Sequence, residues 1–98
     1  MSEIEDSTRW QLTGSYELFA LGDADRGLLW LYDRKDLRYF KLNSSSYLIL
    51  SSCDGKTTLG QIRERLQNQY PQADATAVAQ DLSQFVVQMQ EQGFINSP

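Results

Sequence analysis

Between residues 16 and 42 large apolar side chains come in short runs separated by polar turns: YELFAL, GDADRG, LLWLYD, DRKD and LRYFKLN. Runs of this length, rich in aliphatic and aromatic residues and bounded by Gly and Asp, predict three short strands. Asp33-Arg34-Lys35-Asp36 has a length common in hairpin loops, so strands over 28–32 and 37–42 are expected to be antiparallel neighbours. Period-two alternation in the last strand puts Phe40 and Leu42 on a core-facing side and Leu37, Tyr39 and Lys41 on the other.

After Leu42 the period changes to that of helices. Asn43 can cap a first helix by accepting an N–H of its opening turn, and Tyr47-Leu48-Ile49-Leu50 is apolar nearly all round, which suits a helix buried on several sides. Gly55 is the expected stop of that helix, in the left-handed conformation. Thr58 and Gln61 have the spacing of a capping box, and Leu59, Ile62, Leu66 and Tyr70 share a face until Pro71 blocks continuation, predicting a helix over 59–70. Asp74 caps a last helix in which Val78, Leu82, Phe85 and Met89 form the apolar stripe and Gly93 supplies the stop. The reading is an α+β domain, a three-stranded antiparallel sheet followed by three helices. Residues 1–15 are polar apart from Trp10 and are read as a loose N-terminal arm before a domain over 16–95.

Composition narrows the chemistry. At 98 residues, 41% hydrophobic and 22% charged, the chain is expected to form one globular domain. The net charge of −4 opposes phosphate binding, so nucleic acid is disfavoured as a partner. Cys53 is the sole cysteine and there is no His, so neither a disulfide framework, a Cys-x-x-Cys metal pair nor the usual general base is available. No apolar run is long enough to span a bilayer, and MSEIEDSTRW is acidic where a signal peptide is basic. The expectation is a cytoplasmic, soluble protein that is not an enzyme and holds no metal or cofactor. Asp23 and Asp25 alone lack the convergent oxygens of a calcium site and read as a solvated loop.

Taken in order, Leu42-Asn43, Asp54-Gly55 with Thr58 and Ile62, Leu66, Tyr70-Pro71, Asp81-Leu82 with Phe85, and Gly93-Phe94-Ile95 resemble the PqqD-like family across residues 16–95. Members are small winged helix-turn-helix domains that act as recognition elements for ribosomally synthesised, post-translationally modified peptides. The resemblance implies a stand-alone element that binds the leader of a precursor peptide and presents it to a modifying enzyme, often a radical S-adenosylmethionine enzyme. It further implies that the leader adds as a strand to the edge of the third strand, here Leu37, Arg38, Tyr39, Phe40, Lys41 and Leu42, and packs into a groove against the third helix.

On that helix, Ala79, Ser83, Val86 and Gln90 fall to one side of the apolar stripe and Val87 lies nearly opposite it. Small residues at 79 and 83 leave room for a guest side chain, and Val86 and Val87 offer apolar contact; equally, Val86 can widen the core face and Val87 be an ordinary exposed valine. Arg26, Arg34, Lys35, Arg38 and Lys41 stand against Asp33 and Asp36, so the hairpin is the basic end of an acidic protein. Basic side chains protect an edge strand from aggregation, and they also steer an acidic leader to it. The alternative, a winged-helix DNA-binding protein, presents Arg, Lys, Asn or Gln to base edges and grips phosphates with basic residues; helix 75–92 has several glutamines but no Lys or Arg, and carries Asp81 and Glu91.

Overall fold

The computed structural model describes residues 6–21 and 28–97. The Asp23 and Asp25 loop, Arg26 and the first five residues lie outside the described residues.

The three expected strands are present as β2 (Tyr16–Leu21), β3 (Leu28–Asp33) and β4 (Arg38–Leu42), in antiparallel order β2-β3-β4. The register aligns Leu18 with Leu31 and Phe40, and Glu17 with Tyr32 and Tyr39. Residues directly opposite share a face, so Tyr16, Leu18, Leu29, Leu31, Phe40 and Leu42 look inward. Phe19, Leu21, Leu28, Trp30, Tyr32 and Tyr39 look outward.

Among the described residues, 6–15 are not a loose arm. Arg9–Leu12 forms β1, the central strand of a second sheet between β5 (Asp54–Thr58) and β6 (Ile95–Asn96). Trp10 is 3% exposed and belongs to the core. Upstream of it, Asp6 receives both Nη atoms of Arg63 at 2.7 and 2.6 Å, and its carbonyl accepts the N–H of Gly60 at 3.0 Å. This segment therefore binds the start of the second helix on one side and the C-terminal strand on the other.

The helices are α1 (Ser44–Ser51), α2 (Leu59–Gln69) and α3 (Ala75–Glu91). Each begins as the capping residues dictate. Asn43 accepts from Ser46 N–H at 2.8 Å, Thr58 and Gln61 form the reciprocal capping box, and Asp74 accepts from Ala77 N–H at 3.1 Å. Gly55 does have positive φ, +79°, but α1 has already ended at Ser51. The glycine turns β5 instead, where Asp54 accepts the N–H groups of Lys56 and Thr57, and an added Cβ would come within 3.2 Å of Gln11 Oε1. The α1–α2 connection is thus a strand paired to β1 rather than a plain turn.

The core joins both sheets to all three helices through Trp10, Leu31, Leu50, Ile62, Leu82, Val86 and Ile95. Phe94, just beyond α3, stacks its ring against Tyr16 and edge-on against Phe40, at 4.7 and 5.3 Å. That aromatic contact ties the end of α3 to β2 and β4.

Candidate functional site

The hairpin that carries β4 is built on Asp33, whose side chain is 2% exposed. Its carboxylate accepts the N–H groups of Lys35 and Asp36 at 3.0 and 3.3 Å and the Arg38 guanidinium at 3.4 Å. Burial pushes this carboxyl up, but the two N–H groups and Arg38 outweigh it and hold the group below its ordinary value. A compact loop of residues 34–37 results. Leu37 adopts φ +56° and is 72% exposed, so it closes the turn and is not the first residue of the edge strand, which starts at Arg38.

Backbone parity identifies which residues of β4 are open. Arg34 N–H donates to Ser15 C=O at 2.8 Å, in the same register that pairs Tyr16 with Asp33. Ladder bonds join residues directly opposite, and alternate residues point to opposite neighbours. Residues 28, 30 and 32 therefore bond β2, while 29, 31 and 33 bond β4 at 42, 40 and 38. Tyr39 and Lys41 turn their N–H and C=O groups to the outer side of β4, where no strand pairs among the described residues.

Charge at this edge is more selective than a count of cations suggests. Arg38 is shared between Asp33 and Asp36 and lies over the Phe40 ring, 5.3 Å from its centroid. Arg34 pairs with Glu17 at 2.9 Å and reaches the Gly14 carbonyl. Among the described residues Lys35 and Lys41 form no ion pair.

Of the sequence-predicted residues of α3, Ala79 and Ser83 share one cleft and Ser83 and Val87 line a depression of about 350 Å³ along the same flank, while Val86 is not part of that wall. Val86 is fully buried, 0% exposed, and is a core residue alongside Val78 and Leu82. No guest can touch it. Ala79 and Ser83 face α2 instead, lining a cleft of about 880 Å³ with Arg63 and Gln67. Val87 is 37% exposed and Gln90 is exposed, both away from that cleft's floor.

The flank of α3 nearest β4 is the opposite one. A groove of about 500 Å³ begins at Asn43, the residue after β4. Its floor is Ile49, Leu66, Val78, Leu82 and Phe85, and its polar rim includes Ser45, Ser46 and Asp81. This groove is smaller than the α2–α3 cleft, and its lining takes in Asn43, directly after β4. A backbone edge supplying donors and acceptors beside an apolar groove is the arrangement that receives an extended peptide.

A second surface was not anticipated from the sequence. The outward face of the β2-β3-β4 sheet holds a depression of about 470 Å³ lined by Phe19, Leu21, Leu28, Trp30 and Tyr39. Large apolar residues at both parities of YELFAL and LLWLYD were the signal for it. Among the described residues no group of three or more His, Cys, Asp or Glu is placed to hold a metal ion, and no helix is long and apolar enough to cross a membrane. Cys53 is buried; burial and the charge of Asp54 push its thiol up to about 12, far from the range of a nucleophile.

Comparison with known proteins places the sequence in a family. The family described as Coenzyme PQQ synthesis protein D (PqqD) matches residues 29–95. The PqqA binding protein of Acinetobacter baylyi is 40% identical over 55 residues, 56% of this chain and 54% of that protein, so the match spans about half of each. No solved structure matches. The family match takes in β3, β4 and all three helices, more than half of the chain, and this chain belongs to the PqqD family.

Proposed function

We propose that this protein is a non-catalytic recognition element that captures the leader of a ribosomally synthesised precursor peptide by strand addition and presents it to a modifying enzyme. The observation that carries the proposal is the open edge of β4 at Tyr39 and Lys41, running into the groove between Asn43 and α3. Edge N–H and C=O groups give affinity to any extended chain, and the groove beneath alternate residues gives selectivity. Membership of the PqqD family supports the reading, as does the name of the Acinetobacter baylyi relative, which is that of a PqqA binding protein. A radical S-adenosylmethionine enzyme as the partner, a cytoplasmic location and a winged helix-turn-helix description of the frame, with the β2-β3-β4 sheet as the wing, belong to the same proposal.

The test is a titration of the labelled protein with a synthetic PqqA peptide, read by amide shifts. Shifts centred on Arg38 to Leu42 and on Asp81 and Phe85 are expected. Shifts confined to Ala79, Ser83 and α2 would place the peptide in the other cleft and reject strand addition at β4. A DNA-binding reading gains little from the structure, because α3 has glutamines that could read bases but carries Asp81 and Glu91 and no cation to hold phosphates.

A further inference from the structure

Resting on the peptide-binding reading, we infer that the groove beside β4 selects a lysine or arginine of the bound peptide, whose stem lies on the apolar floor and whose charged head meets Asp81. Three observations converge on it. The first is register. In an added strand, the residue opposite Leu42 shares the inward face of Leu42 and Phe40, and Leu42 is followed directly by Asn43, where the groove begins. Backbone pairing therefore places one guest residue on the inward face next to the groove's first lining residue.

The second observation is the groove's shape and lining. Its floor, including Leu82 and Phe85, is apolar, and its volume of about 500 Å³ is generous for one long side chain. Long cationic side chains are suited to such a site, because their methylene stems cover apolar surface while the head stays at the rim.

The third is charge. Asp81 stands on the rim and, among the described residues, neither forms an ion pair nor accepts a side-chain hydrogen bond, in contrast to Asp6, Asp33 and Asp54, each of which is engaged. Among the described residues it is the only charged one lining that groove. An apolar residue there would leave the carboxylate idle, and an acidic one would be repelled. At the other end of the strand Arg38 lies on the same inward face but is already shared between Asp33 and Asp36, so the selected feature is the basic residue opposite Leu42. This refines the simple picture of an acidic leader attracted to a basic hairpin.

The experiment is a selection of random linear peptides displayed on phage against the intact protein and against an Asp81→Lys variant. Asp81 is exposed, so the variant is expected to keep its thermal transition. Peptides enriched on the wild-type protein should share Lys or Arg at one fixed position. The variant should enrich Asp or Glu at the basic position. Calorimetry on the best wild-type binder should show a loss of about fivefold to tenfold with Asp81→Asn, and a Lys→Glu exchange in the peptide should restore binding to Asp81→Lys only. Enriched peptides that shift the β4 amides but bind wild type, Asp81→Asn and Asp81→Lys equally would overturn this inference and leave strand addition standing. Absence of enrichment on both proteins would overturn the peptide-binding reading and this inference with it.

Discussion

Proline at Tyr39 separates the strand edge from the strand itself. Parity places the Tyr39 N–H on the outer side of β4, so Tyr39→Pro removes no bond to β3. What folding loses is the ring, whose centroid lies 4.6 Å from Tyr32 and 6.1 Å from Trp30 on the exposed face. Aromatic pairs contribute about 0.5–1.5 kcal/mol each, and allowing for partial exposure the expected cost is about 1–2 kcal/mol. Phe40→Pro is different in kind. It deletes a ladder N–H directed at Leu31 and an inward ring packed edge-on against Phe94, for an expected cost of about 4 kcal/mol or more. Thermal unfolding should therefore drop by about 5–15 °C for the first variant and by clearly more for the second. Tyr39→Ala is the decisive control, since it loses the same ring and keeps the N–H. In a PqqA peptide titration Tyr39→Pro should bind about tenfold more weakly than Tyr39→Ala, the equivalent of one edge donor and the local distortion around it. The parity assignment is refuted if Tyr39→Pro and Phe40→Pro destabilise equally. Strand addition at this edge is refuted if the Pro and Ala variants, both folded, bind alike.

Val86→Ala should cost about 2 kcal/mol in urea unfolding because it opens a cavity at a fully buried site, whereas Val87→Ala one residue away should stay within about 0.5 kcal/mol. Cys53 should resist a thiol reagent at pH 8 in the native state and react once the protein is unfolded, because its thiol is raised to about 12 by burial and by Asp54; native reactivity at the free-cysteine rate would contradict the burial. Acid should destabilise the fold through Asp33 and Asp54. The Lys56 and Thr57 N–H groups lower Asp54, and the net shift of Asp33 is also downward, so both contribute stability above the ordinary value of 3.8 that is lost as pH falls through their depressed folded values. Denaturation midpoints should be flat from neutral pH to about pH 5 and decline below about pH 4, and Asp54→Asn should make that decline shallower.

Local chemistry was the legible part of this fold. Asn43, Thr58 with Gln61, and Asp74 cap the helices because a side-chain oxygen and a free N–H three residues on are neighbours in sequence. Strand β1 was missed for the opposite reason. RWQL is too short and mixed to show a period, and its partners, Asp54–Thr58 and Ile95–Asn96, lie far along the chain. Only Trp10, a large apolar residue in a polar segment, hinted at it. The neighbours of each flank of α3 were not legible, for a geometric reason. A helical wheel finds the buried stripe of α3 but has no knowledge of which flank meets α2 and which meets β4. Ala79 and Ser83 lie on one flank and Asp81 and Phe85 on the other, and the path of the chain decides between them. Leu37 was lost to the turn because the four amide and guanidinium contacts that shape it converge on Asp33 and Asp36, not on any hydrophobic pattern.

The placement of the two tryptophans gives the molecule a built-in optical division of labour. Trp10 is sealed in the core beside β5 and β6, so its emission belongs to a shielded indole and follows global unfolding. Trp30 sits on the outward face, edge-on to Tyr39, the residue whose backbone opens to the strand edge. With Trp10 replaced by Phe, excitation of Tyr32 and Tyr39 feeds a single acceptor within a few side chains of β4. Intrinsic fluorescence then offers a label-free test of whether a peptide occupies the edge, because alternate side chains of an added strand fall on this outward face beside Tyr39.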